Sequence, residues 1–262
     1  MFSQPLRVGN VPYSNTLPLV YFLTSYLPAA GVSQWIPSAI KRELQTGNLD
    51  FAIMPVAELL SLPEGIIIGD CCIASNGKVR SVYLHSRKPI DKIETLALDT
   101  ASRSSVTLGQ LILRHFYNRK PVLEKLSPDK PLEDCPADGF VVIGDRCLSF
   151  VPSEKWEYRY DLGNVWKEKT GLPFVFAAWT TCGKTLADNE ELIAALSQAR
   201  DFGLRSIAES LDDKSCSKLP LKLPLPDNEM KDYFTNNIVY KLGNEERKGM
   251  NTFLKLAAEY SL

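Results

Sequence analysis

One arrangement constrains this chain more than any other: short apolar runs alternate with helix-patterned stretches, and the plan occurs twice. "LRVGNV" (residues 6–11) reads as a buried strand. "TLPLVYFLTSYL" (16–27) reads as a helix with Pro18 near its start, where a missing N–H does no harm. "SAIKRELQTG" (38–47) is a second helix, ended by Gly47, and "DFAIMPV" (50–56) is the next strand. The second half repeats this with "TLALD" as strand, "VTLGQLILRHFY" as helix with Leu108, Leu111, Ile112 and Phe116 on its apolar face, and "ADGFVVIGD" as strand. Asn15 precedes Asp50 by 35 positions and Ser104 precedes Asp138 by 34. Alternation of this kind predicts parallel sheets, and its repetition predicts two similar lobes.

"KVRSVYLHS" (78–86) and "LPFVFAAWTTCG" (172–183) are the natural strands on which such a chain crosses from one lobe to the other and back. The expected division is a discontinuous first lobe, 1–84 with 178–262, and a second lobe of 85–177. The fold class is therefore α/β, bilobed, with two lobes joined by two crossing strands.

Composition narrows the function. A net charge of −1 gives no electrostatic reason to expect nucleic acid or an anionic membrane as partner. No run of eighteen apolar residues predicts a membrane span, and the N-terminus lacks a charged region and a cleavage site, so the expected location is the cytoplasm. The six cysteines, Cys71, Cys72, Cys135, Cys147, Cys182 and Cys216, form no CxxC pair and read as small core residues. With His85 and His115 they complete no metal pattern. Nucleotide-binding glycine motifs, HExxH and GxSxG are absent.

In open α/β sheets, ligands bind beyond the C-terminal ends of the strands, where a helix start offers unpaired N–H groups to an anion. Two such junctions are rich in donors. "GNVPYSNTLP" supplies Tyr13, Ser14, Asn15 and Thr16; "TASRSS" supplies Thr100, Ser102, Arg103, Ser104 and Ser105. One serine there would serve as a helix cap; a run exceeds what capping needs. A third polar loop, "IASNGKVRS", adds Ser75, Asn76 and Ser81, with Asn76–Gly77 also suited to a tight turn. Asp145 at a strand end reaches either ligand or its own turn, and Trp179 walls the cleft or fills the core. His85 is a base if it meets the cleft and a structural ring otherwise; His115 reads as a surface residue. Glu58 reads as opening a helix, where a carboxylate is favourable.

At these same residues the sequence resembles the chorismate dehydratases of the futalosine route to menaquinone. "VGNVPYSNTLPL", "LDFAIMPVAELL", "IASNGKVRSVYLHS", "LDTASRSSVTLGQLIL", "VIGDRCL" and "YDLGNVWKEKTGLPFVFAAW" carry the likeness in order, with a weaker echo in "NNIVYKLGNEERKGMNTFLKLA". The resemblance implies a type II periplasmic-binding-protein-like fold. It also implies a cofactor-free, metal-free hydro-lyase that converts chorismate to 3-[(1-carboxyvinyl)oxy]benzoate. It places the catalytic asparagine at Asn15 and leaves the substrate's own enolpyruvyl carboxylate as proton acceptor, positioned by Asn15. Ser102 to Ser105 would hold a carboxylate. Ser14 and Asn76 depart from the family's usual bulky apolar residue and aspartate. The alternatives are a 1,4-dihydroxy-6-naphthoate synthase-like enzyme of the same pathway and a non-catalytic binder of a small carboxylate. Oligomeric state is not written in the sequence.

Overall fold

The computed structural model describes residues 4–99, 102–127, 129–212 and 223–262. Thr100 and Cys216 lie outside the described residues.

The chain starts with β1 (Leu6–Asn10), α1 (Leu17–Val20), α2 (Leu23–Tyr26), β2 (Ala30–Gln34), α3 (Pro37–Gln45), β3 (Phe51–Pro55) and β4 (Ile66–Ser75). It continues through β5 (Val82–Ser86), β6 (Thr95–Leu98), α4 (Arg103–Leu111), β7 (Val122–Lys125), β8 (Gly139–Ile143), α5 (Gly144–Leu148), β9 (Tyr158–Asp161) and α6 (Leu162–Thr170). It ends with β10 (Phe174–Thr181), α7 (Lys184–Ala187), α8 (Glu190–Asp212), α9 (Asp227–Asp232), β11 (Val239–Lys241) and α10 (Asn244–Glu259).

Two mixed sheets result, ordered β11-β4-β10-β3-β1-β2 and β7-β6-β8-β5-β9. They repeat one plan. In the first sheet β2, β1 and β3 run parallel and β10 lies antiparallel to β3; in the second β7, β6 and β8 run parallel and β5 lies antiparallel to β8. The two acids read as repeated do the same work. Asp50 accepts the N–H of Arg7 at the start of β1, and Asp138 accepts those of Glu94 and Thr95 at the start of β6. Each satisfies donors that a strand's first residues would otherwise leave unpaired.

β5 belongs to the second sheet and β10 to the first, and the expected lobe limits at 84/85 and 177/178 fall inside these two strands. The passage from β4 to β5 is pinned by buried Asp161, whose carboxylate accepts N–H groups of Val79, Arg80 and Asn164. Burial raises its pKa, and the backbone donors oppose the rise.

The long helix expected over 16–27 is broken into α1 and α2 at Phe22, whose backbone leaves the helical region. Here tertiary packing overrides propensity. α8 presses so close to α1 that a side chain at Gly203 would meet the Pro18 carbonyl, and Phe202 packs edge-on against Phe22. The second-half helix is α4 only to Leu111, then a π turn over Ile112–Phe116; Leu108, Leu111 and Ile112 are buried and Phe116 partly so. Cys71, Cys72, Cys135 and Cys147 are buried free thiols, and burial pushes that of Cys71 up to about 12.

Candidate active site

The C-terminal ends of β1, β3, β6 and β8 converge on one cavity between the two sheets. It encloses about 540 Å³ of space between atoms, part of it open to solvent. Val11, Tyr13 and Asn15 line it after β1, Ile53 and Pro55 on β3, Ser102 and Ser105 after β6, and Ile143 and Gly144 after β8. Ile73, Ser81, Val82, Phe176 and Ala177 close the floor. Parallel strands direct their C-terminal loops to one side, which explains why residues so distant in sequence meet here.

Asn15 stands in the short turn Ser14–Thr16. Thr16 holds that turn by donating its hydroxyl to the carbonyls of Val11 and Tyr13. Tyr240 donates to the Asn15 carbonyl at 3.0 Å. The Asn15 amide lies within range of the buried Tyr233 hydroxyl, which donates to Ser81 Oγ at 2.9 Å. Burial drives the Tyr233 pKa upward, opposed by Ser81 and Asn15. The Asn15 backbone is thus fixed, while its Oδ1 is buried and has no partner. A buried amide oxygen without a donor is costly unless a ligand or water supplies one.

Tyr13 lies beside the turn at Gly144, where φ is +62° and an added Cβ would collide with its ring. Burial, followed by Asp99 and Asp145, raises the Tyr13 pKa, so its hydroxyl stays a neutral donor at ordinary pH.

The serine-rich loop behaves differently. Ser102 caps α4 by accepting from Ser105 N, and the two hydroxyls lie 3.1 Å apart. Both line the cavity. Ser104, wholly buried, accepts the N–H of Ala57 at 3.1 Å and so ties α4 to the turn after β3. Arg103 is exposed.

Several expected site residues stand away from the cavity wall. Asp145 and Ser14 bond each other across the cleft: the carboxylate accepts Ser14 N at 3.2 Å and Ser14 Oγ at 2.9 Å. Ser75 is buried beneath Gly163, and Asn76 is exposed before Gly77, whose φ of +122° fits the tight turn. Trp179 is fully buried against Phe51, in the core. Trp179 stands opposite Ile53 in the β3–β10 ladder, two residues deeper along β10 than Ala177, whose partner Pro55 ends β3 at the cavity. The register shift between Val175 and Ala177 gives β10 one extra residue, so the neighbours Phe176 and Ala177 both wall the cavity. His85 is buried among Tyr83, Phe140 and Phe150, off the cavity, and His115 is exposed as expected. Glu58 opens a turn and pairs with Lys41 at 3.2 Å.

Tyr233 and Tyr240 had no signal as site residues. Their one trace is that Tyr240 lies in the weak C-terminal echo noted above.

Among the described residues no helix is long and apolar enough to cross a membrane. The Candida albicans CA3427 gene product, described as having the generic periplasmic binding protein structural fold, superposes with a TM-score of 0.59. It is 14% identical and covers 97% of this chain and 90% of its own. The fold is therefore that of the bilobed periplasmic binding proteins. Chorismate dehydratase of Thermus thermophilus is 27% identical over 95% of this chain and 94% of its own length. That of Campylobacter jejuni is 24% identical over 97% and 98%. The profile of the menaquinone biosynthesis family matches residues 6–259, through both sheets and every wall of the cavity. The chain belongs to the menaquinone biosynthesis family.

Proposed function

We propose that this protein is a cytoplasmic hydro-lyase that dehydrates chorismate to 3-[(1-carboxyvinyl)oxy]benzoate. The observation that carries the reading is Asn15, a fixed asparagine whose unpartnered Oδ1 is buried on the wall of a cavity between two lobes. Full-length likeness to two chorismate dehydratases supports the choice of substrate.

The chemistry asks little of a protein base. Chorismate loses its ring hydroxyl and a neighbouring ring proton, which leave together as water, and the ring becomes aromatic. The drive is internal, and the enzyme orients the substrate and stabilises charge. No Asp, Glu, His or Lys is among the described residues that line the cavity. The substrate's enolpyruvyl carboxylate then serves as proton acceptor, with Asn15 aligning it. Ser102, Ser105 and the N–H groups opening α4 receive a carboxylate, aided by the helix dipole. Ser81 and Tyr13 add neutral donors. Lobe one (1–84 and 178–262) and lobe two (85–177) supply opposite walls in this reading.

The test is to incubate purified protein with chorismate and follow the aromatic product by absorbance and mass. A product lighter than chorismate by one water supports the reading. Binding without conversion points to a carboxylate-binding protein, and chorismate neither bound nor consumed contradicts the assignment.

A further inference from the structure

β5 separates two different cavities. Val82 and Leu84 point into the main core, and Val82 also lines the cavity already described. Tyr83 and His85 occupy the opposite face and line a second cavity of about 570 Å³ of space between atoms, partly open to solvent. Its other walls are Arg80, Cys147, Leu148, Phe150, Pro152, Arg159 and Leu225.

No carboxylate is among the described residues that line this cavity, while two guanidiniums, a phenol and an imidazole do. Arg80 is already paired with Glu229 at 2.9 Å and Asp232 at 3.3 Å. Arg159 bonds only the carbonyls of Trp156 and Pro152, so it has no acid partner among the described residues. It faces His85 directly across the β5–β9 register. His85 is 4% exposed, and its Nδ1 has no partner. Its ring stacks on Tyr83 at 5.5 Å and meets Phe150 edge-on at 5.2 Å. A buried imidazole with an unpartnered nitrogen, beside a guanidinium with no acid partner among the described residues, is open to a ligand or water that bonds it. Leu148, Phe150 and Pro152 give one part of a mostly polar wall an apolar surface, which suits a ligand that carries hydrocarbon as well as charge.

We infer that this face of the second lobe is a separate binding site for a small organic carboxylate. Arg159 holds the carboxylate, Tyr83 and His85 donate to it, and Phe150, Leu148 and Pro152 cover its apolar part. Burial, then Arg159, hold the His85 pKa at about 4 against the pull of Glu133, so the empty site contains a neutral ring. A bound anion beside it favours protonation and raises that pKa.

The chain has two histidines, so selective ¹³C labelling of histidine gives two resolvable imidazole signals. Benzoate is the probe, added to the full-length wild-type protein. The expected result is a saturable shift of the His85 signal with His115 unmoved, and half-saturation weakened about tenfold or more in Arg159→Gln, the loss of one charge-assisted hydrogen bond. Arg159 is exposed, so this change leaves the fold intact. No shift of His85, or the same shift in Arg159→Gln, overturns the proposal. An equal response to inorganic phosphate overturns the role of the apolar walls and with it the ligand class. Turnover of chorismate is not read, so this outcome is independent of the catalytic assignment.

Discussion

The turn at residues 13–16 and the loop at residues 102–105 occupy equivalent places, each after the middle strand of three parallel ones. They look alike in sequence, and their polar groups are used differently. In the first, the backbone is held by Thr16, Tyr240 and Asp145, and one buried side-chain atom, Asn15 Oδ1, is left without a partner. In the second, Ser102, Ser104 and Ser105 all bond the protein itself. A group left unsatisfied by the fold is available to a substrate, whereas one satisfied by the fold holds the walls together. In the proposed mechanism the first loop aligns the proton acceptor, while the second joins the walls through Ser104 and offers Ser102 and Ser105 to a carboxylate.

Three substitutions press on that contrast, starting with the largest effect. Asn15→Ala removes the unpartnered group; turnover of chorismate falls by about 10²–10³ or more, the scale of losing one preorganised polar contact to developing charge. Thermal unfolding changes little by comparison, because no protein bond to Oδ1 is lost and the amide's contact with the Tyr233 hydroxyl is the one the change removes. A variant with near-normal kcat removes Asn15 from the mechanism. Ser104→Ala leaves the buried Ala57 N–H unpaired and lowers stability by about 1–3 kcal/mol, with KM little changed. Denaturant titration beside steady-state kinetics reads both; a raised KM with unchanged stability would instead make Ser104 a substrate contact. The smallest effect is at Asp145. Burial raises its pKa, and its bonds from Ser14 oppose the rise. The folded protein therefore keeps this proton to higher pH than the unfolded chain does. Its stabilising share is present below the ordinary carboxylate range and is lost as pH rises through the raised value. Asp145→Asn flattens that part of the stability–pH curve, and an unchanged slope would show that Asp145 does not titrate there.

Much of the architecture was legible because each repeat carries its own signals. Apolar runs marked β1, β3, β6 and β8, and Asp50 and Asp138 fell at matching places because each supports the strand beside its own. The strands missed, β2 and β11 among them, are short, exposed or irregular. β4 carries Gly69 at φ +61° and Asp70 in its middle, β7 is exposed along its whole length, and β9 reads "YRYD". Both donor-rich loops were found, but the division of labour between them was not. It depends on Tyr233 and Tyr240, more than 200 residues beyond Asn15, and on Ala57, 47 residues before Ser104. Pairings of that range are set by topology, which no local pattern records. Of the two readings left open for Trp179, the core holds: its depth along β10, opposite Ile53, is set by pairing with β3 and not by any local pattern.

The most direct measurement is a crystal structure of the protein with 3-[(1-carboxyvinyl)oxy]benzoate. The account predicts the ligand between the two sheets, with the Asn15 side chain within hydrogen-bond distance of a carboxylate and Ser104 still bonded to Ala57. A ligand seated elsewhere, or in this cavity with Asn15 making no contact to it, would contradict it.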